Sequence, residues 1–364
     1  MEKFEKEFDA QIKSIEKPNL MVIGGTGVGK SSLINKVFGQ NFAKVGVGEP
    51  VTKGCVKYSD PQFGVNIFDT EGYEIEPNGQ VDNSNFQNVV LKEIQDRKSK
   101  SLQDQIHVFW YCLSISGHRI TDYDLKNIKL LLEHGIKLAI VLTKCDQDEL
   151  NAQNQGVHAL SFKKILKTNS IANPIFETMT EGEDLLELND LVTWSLEALP
   201  GDQLRKAFIS AQKINLPLKE AEANKIIIAA STAASTAAGL NPVPLSDAVI
   251  LAPIQMGMAA TLANIYGFSA LGNASIALLK AQVLTMVGKQ MASSLLKLIP
   301  VIGNFANAAV AGALTAGFGY ALHVAYKAAY LDYLNTGEQP NWSKIFENID
   351  ITEILKNIKK DNNQ

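Results

Sequence analysis

The chain has 364 residues, which at roughly 150 per domain predicts two domains. Hydrophobic residues at 46% and charged residues at 20% exclude a disordered or collagen-like chain. A formal charge of −4 argues against nucleic acid as the main partner. The cysteines Cys55, Cys112 and Cys145 lack CxxC spacing, so neither a disulfide framework nor a zinc site is indicated and a reducing compartment is expected.

Residues 1–17 are too charged for a secretory signal and too acidic for a transit peptide. They predict an amphipathic helix, with Phe4, Phe8, Ile12 and Ile15 on one stripe. Residues 18–200 alternate strand-like runs (19–23, 55–58, 65–68, 106–113, 137–142, 174–178) with helix-periodic stretches (31–38, 85–98, 122–134, 155–167, 184–199). That alternation predicts a three-layer α/β domain with a mainly parallel sheet, whose ligands gather at the carboxyl ends of the strands. A boundary is expected at Pro200-Gly201.

Directly after the first run comes Gly24-Gly25-Thr26-Gly27-Val28-Gly29-Lys30-Ser31-Ser32, which fits GxxxxGK[ST] and opens a helix. Glycines let backbone N–H groups turn inward around a polyphosphate, and the helix N-terminus adds partial positive charge. Lys30 is then placed for the β- and γ-phosphates and Ser31 for Mg²⁺. A DxxG, Asp69-Thr70-Glu71-Gly72, ends the 65–68 run: Asp69 suits the metal and the Gly72 N–H a γ-phosphate. Upstream, 48–54 is expected as a loop offering the Thr52 hydroxyl to metal and phosphate. After the 137–142 run, Asp146 of Thr143-Lys144-Cys145-Asp146 can accept the paired donors of guanine, which adenine lacks, with the Lys144 stem lying along the base. Backbone at Thr178 and Met179 is expected to reach the same base. Lys30, Thr52 and Gly72 are therefore the catalytic candidates, and Ser31, Thr52 and Asp69 the metal ligands. The nucleotide-binding set is 24–32 with Thr143, Lys144, Asp146, Thr178 and Met179.

On these motifs, residues 19–199 resemble a translation-factor-class P-loop GTPase of the Era-like superfamily. Thr143, standing where most relatives have Asn, is shared with immunity-related GTPases. The resemblance implies GTP and GDP binding, Mg²⁺ dependence and slow hydrolysis with a switch cycle. Two departures stand out. Thr143 replaces an amide that ties this loop to the glycine-rich loop, so weaker guanine binding is expected. Tyr73 follows the DxxG glycine where many relatives place a water-orienting Gln, so hydrolysis is expected to be slow, with acceleration from a partner or a second copy.

Residues 201–335 change character. Between Ile226 and Tyr330 the charged residues are only Asp247, Lys280, Lys289, Lys297 and Lys327. Helices are expected at 219–238, 245–265 (capped by Ser246 and kinked at Pro253), 275–298 and 304–333. Ala309, Ala313, Gly317 and Ala321 predict a close-packing seam. The stretches 248–279 and 299–326 carry no Asp, Glu, Lys or Arg and exceed the roughly 20 residues needed to span a bilayer. They are nevertheless rich in Ala and interrupted by Gln255, Asn264, Asn307 and His323. A membrane-associated domain and a buried soluble bundle both stay open, and the expected location is cytoplasmic with or without membrane contact. His323 is expected to be a satisfied core residue. Through 241–247 and Ile265-Tyr266-Gly267 this half resembles an uncharacterised Ala-rich helical domain found behind Era-like GTPase domains in bacterial proteins. Residues 336–364 are expected as a short helical, polar tail.

Overall fold

The computed structural model describes residues 6, 16–39, 48–52, 55–59, 64–70, 86–179, 186–239, 247–271, 273–292 and 306–347. The chain divides into two compact units, with the break between Asn215 and Leu216.

The first unit is a seven-stranded sheet in the order β2-β3-β4-β1-β5-β6-β7. The strands are β1 Asn19–Ile23, β2 Gly48–Thr52, β3 Cys55–Tyr58, β4 Asn66–Thr70, β5 Val108–Ser114, β6 Leu138–Thr143 and β7 Ile175–Glu177. β4, β1, β5, β6 and β7 are parallel, as the alternating strands and helices predict. β2 and β3 extend the sheet antiparallel, so 48–52, expected as a loop, is an edge strand. Pro50 suits that position because an edge strand can do without one N–H donor. Every side chain of β1 is buried, as a central strand covered on both faces requires.

Helices α1 Lys30–Phe38, α2 Lys92–Lys98, α3 Asp122–Glu133, α4 Val157–Thr168 and α5 Leu188–Ala198 flank the sheet. The stretch expected as one helix from 85 is a π-helical turn, Phe86–Leu91, running into α2. α3 begins with a reciprocal capping box between Thr121 and Asp124, which satisfies two otherwise orphaned N–H groups. Trp110 on β5 stacks on Phe38 at 6.1 Å and donates its indole N–H to Ser195 Oγ at 2.9 Å.

The unit does not end at Pro200-Gly201. Helix α6, Asp202–Ala211, packs Phe208 edge-on against Phe38 at 5.9 Å. It lies so close to Gly64 that a Cβ there would come within 2.7 Å of the Ala207 carbonyl. Beyond it, the Lys213 N–H donates to Val37 O at 2.8 Å.

The second unit is helical: α7 Leu216–Gly239, α8 Asp247–Ile265, α9 Asn273–Ala292, α10 Ala306–Thr336 and α11 Trp342–Glu347. α7 packs along α10 and α8. Of the expected 309/313/317/321 seam, Gly317 and Ala321 are buried and Ala313 is exposed, while the side chain of Ala309 lies outside the described ones; Gly312 and Gly319 also pack closely. A Cβ on Gly319 would meet Ile227 and Met258 at 2.9 Å. α8 runs through Pro253, and Ser246, its expected cap, lies outside the described residues. The uncharged stretch 248–279 is not one span, because Gly267 adopts a left-handed conformation (φ 78°) and the chain turns between α8 and α9. Among the described residues, no helix is long and apolar enough to cross a membrane. Gln255 and His323 are satisfied internally, by Thr315 Oγ1 at 3.4 Å and by the Tyr266 hydroxyl at 3.0 Å. The tail is not wholly polar: Trp342 is buried, 4.9 Å from Phe268, and donates to Ser275 Oγ at 2.9 Å. Apart from Lys6, Glu16 and Lys17, the expected N-terminal helix lies outside the described residues.

Candidate nucleotide-binding site

The parallel strands deliver the candidate residues to one end of the first unit. β1 ends at Ile23 and passes into Gly24, whose φ of 152° and tight seat demand glycine: a Cβ would lie 2.6 Å from the Cys112 carbonyl on neighbouring β5. Gly27 (φ 72°) and Gly29 (φ 102°) supply two further left-handed positions. Such successive reversals turn backbone N–H groups inward. Gly29 is the N-cap of α1 and offers no side-chain cap, so the helix N-terminus keeps donors for an anion.

Lys30 is only 8% exposed and folds back across the loop, donating to Gly24 O at 3.0 Å and Gly25 O at 3.1 Å. Ser31 and Ser32 are exposed at the first turn of α1. Asp69, paired in register with Val22 of β1, stands near the end of β4. Its Oδ1 is buried without a hydrogen-bond partner. Burial pushes the carboxyl up to about 6, with the positive charge of Lys30 working against that rise. A buried, under-compensated carboxylate oxygen beside a phosphate cradle fits a divalent cation. Thr52 ends β2 opposite Cys55, which itself pairs with Thr70, so its backbone lies at the same end of the sheet. Gly72 and Tyr73 lie outside the described residues.

The base-side loop is joined to this cradle. Thr143 is fully buried at the end of β6, and its hydroxyl donates to the Val28 carbonyl at 2.5 Å. The tie expected to be missing for want of an amide is therefore present, because a hydroxyl at this distance reaches the same loop. Lys144 follows in the left-handed region (φ 58°), which turns the chain into the 3₁₀ turn Cys145–Gln147 carrying exposed Asp146. The Cys145 N–H donates to Thr178 O at 3.1 Å, and Lys36 of α1 donates to Met179 O at 3.2 Å. Cradle, base loop and the segment after β7 thus share one hydrogen-bonded neighbourhood. Sequence reasoning did not single out Lys36 or Asp148, whose roles rest on contacts more than a hundred residues away or on the seating of a helix start.

The three cysteines are free, and burial pushes each thiol up to about 12, which makes them inert. Among the described residues, no group of three or more His, Cys, Asp or Glu could hold a metal ion.

A glycine-rich strand-to-helix turn, a lysine folded over it and a carboxylate on the adjacent parallel strand define a P-loop nucleotide-binding domain. Comparison with known proteins narrows the class: residues 19–144 match the family described as 50S ribosome-binding GTPase, and residues 203–349 match a domain of unknown function, DUF697. The first unit has the P-loop GTPase fold, and the DUF697 domain begins at its last helix, α6, and continues through the helical unit. The chain is 23% identical over 191 residues to Septin-8-A of Xenopus laevis, covering 48% of this chain and 44% of that one. It is 27% identical over 173 residues to the tRNA modification GTPase MnmE of Borrelia recurrentis (strain A1), covering 47% and 34%. The chain thus spans less than half the length of these curated relatives. Among solved structures, it is similar to Era in complex with MgGDPNP and nucleotides 1506–1542 of 16S ribosomal RNA, with TM-score 0.33, 18% identity, and coverage of 52% of this chain and 58% of that one.

Proposed function

We propose that the chain binds GTP and GDP with Mg²⁺, hydrolyses GTP to GDP and phosphate, and acts as a nucleotide-dependent switch on its helical half. The observation that carries this reading is the buried, unpartnered Asp69 oxygen, under the influence of Lys30 and beside a loop whose Gly24 leaves no room for a side chain. Lys30 would exchange its two loop carbonyls for phosphate oxygens, and Ser31, Thr52 and Asp69 would hold the metal. Bound there, Mg²⁺ would supply neutralisation of the phosphate charge. Thr52 at the end of β2 and the Gly72 N–H would engage the γ-phosphate of the triphosphate and lose that contact after hydrolysis. Guanine would be selected by Asp146, flanked by the Lys144 stem and by backbone at Thr178 and Met179. With Tyr73 in place of a water-orienting Gln, turnover alone would be slow, and a partner or a second copy would accelerate it.

The test is calorimetry with GDP, ADP and xanthosine diphosphate in Mg²⁺. Binding of GDP well above ADP, with preference moving to xanthosine diphosphate in Asp146→Asn, is expected. Equal binding of GDP and ADP overturns guanine selection, and absence of any nucleotide binding overturns the whole reading.

A second reading concerns the helical half. Ile228, Leu278 and Val324 are 58%, 57% and 56% exposed on helices poor in charge, which favours peripheral contact with a membrane surface over spanning. Flotation with phospholipid vesicles, with and without GTP, tests it. Protein remaining at the bottom of the gradient in both conditions overturns it and leaves a regulator of a protein partner. Nucleic acid remains the least favoured partner on the charge balance.

A further inference from the structure

Asp146 projects from a single 3₁₀ turn, so its direction depends on what holds the turn at each end. The leading end is fastened through Thr143 and Cys145. The trailing end is fastened by Asp148, whose side chain is 1% exposed. Asp148 Oδ1 accepts the His158 backbone N–H at 3.1 Å and the His158 Nδ1–H at 2.7 Å, and Oδ2 accepts the Ala159 N–H at 2.9 Å. An ionised carboxylate only accepts, which fixes the donor roles. Burial works against its charge, but these donors outweigh it and hold the carboxyl below the usual range.

Asp148 thereby caps α4 from outside that helix. Gly156 occupies the N-cap itself and has no side chain to offer. It also leaves the room: a Cβ there would come within 2.3 Å of Asp148 Oδ2. The His158 ring lies 4.0 Å, centroid to centroid, from the ring of His118, which sits in a left-handed conformation (φ 51°) just after β5. Two loops and a helix start are thus closed around the residue two positions beyond Asp146.

We propose that Asp148 is a positioning residue for Asp146, setting the angle at which that carboxylate meets guanine, with His158 and His118 as its outer support. This rests on the reading of Asp146 as the guanine-selective group. A helix cap alone could be supplied at the helix; taking it from the base loop couples the loop's geometry to α4. Small displacements of a recognition group carry large penalties, so discrimination between bases is what Asp148 controls.

The test measures dissociation constants of the full chain for GDP and ADP with Mg²⁺, alongside unliganded melting. In Asp148→Ala, GDP affinity is expected to fall about tenfold while ADP affinity stays within about twofold. Asp148→Asn, which keeps one acceptor oxygen for the α4 backbone, is expected to recover most of the GDP-to-ADP ratio. Should Asp148→Ala fail to fold, Gly156→Ala crowds the same seat from the other side and is expected to lower the ratio. Parallel weakening of GDP and ADP, or an unchanged ratio in folded variants, overturns the proposal. Wild-type protein that binds GDP and ADP equally fails the Asp146 reading itself, a result visible before any Asp148 variant is made.

Discussion

The hydroxyl of Thr143 and the carbonyl of Val28, 115 residues apart in sequence, meet at 2.5 Å. A second acceptor, Leu113 O, lies 3.3 Å from the same hydroxyl. The base loop is therefore latched to the phosphate cradle by a side chain one atom shorter in reach than the expected amide. Thr143→Val keeps the shape and removes the donor. It is expected to cost about 1–2 kcal/mol in urea unfolding and to weaken nucleotide binding, whereas Thr143→Ser retains both. Equal stability of the Val and Ser variants would count against the latch.

Lys30→Met replaces the buried ammonium by an apolar chain of similar length. Loss of its charge-assisted bonds is expected to lower triphosphate affinity by about 10- to 100-fold. Displacement of a fluorescent GTP analogue reads it, and unchanged affinity would remove Lys30 from the cradle.

Asp69→Asn separates a cost to folding from a benefit to binding. The Asp69 carboxyl sits at about 6 in the fold, above its ordinary 3.8, so its stabilising contribution is complete below the unfolded value and is lost as pH rises through about 6. At neutral pH the charged form is a burden, and Asp69→Asn is expected to raise unliganded stability by about 1 kcal/mol. The same variant should lose the Mg²⁺-dependent part of nucleotide affinity. A variant both less stable and still Mg²⁺-responsive contradicts the assignment.

His107 makes the other end of the sheet acid-sensitive. Its Nδ1 accepts the Asn19 N–H at 2.9 Å, which leaves Nε2–H to donate to Leu102 O at 2.8 Å. Burial lowers its pKa, with the Leu102 bond acting in the opposite sense. The unfolded chain therefore binds the proton more readily, and stability falls as pH drops below about 6.5 towards the folded value. Urea midpoints between pH 7.5 and 5 are expected to decline less in His107→Gln than in the wild type.

In the helical unit, Lys219 is fully buried and donates to Ile265 O at 2.9 Å, at the carboxyl end of α8, with the Tyr330 ring 5.1 Å from its ammonium. A cation there favours the negative end of the helix. Lys219→Ala leaves that carbonyl without this donor and opens a cavity, so a loss of about 2–4 kcal/mol is expected by urea unfolding.

Much of the first unit was legible because its signals are local. Apolar runs mark β1 and β6, and the glycines at 24, 27 and 29 imply a backbone that only glycine accepts. β2 was not legible: Gly48, Glu49 and Pro50 read as loop residues, and only pairing with β3 makes them a strand. Thr143 shows the missing amide in sequence but not the reach of its hydroxyl. The seam on α10 was legible only in part, with Gly317 and Ala321 buried but Ala313 exposed, because Ala and Gly are so frequent there that spacing alone cannot choose which of them pack inward.

The DUF697 match begins at residue 203, yet the helix at that point, α6, is buried against Phe38 and Gly64 within the first unit. The recurring module and the folding unit therefore have different edges. A fragment cut at Pro200 would strip the cover from the far end of the cradle helix and should precipitate, while one ending after Asn215 keeps it. The module brings with it the piece that finishes its neighbour, which makes the two parts harder to exchange independently than a simple linker would.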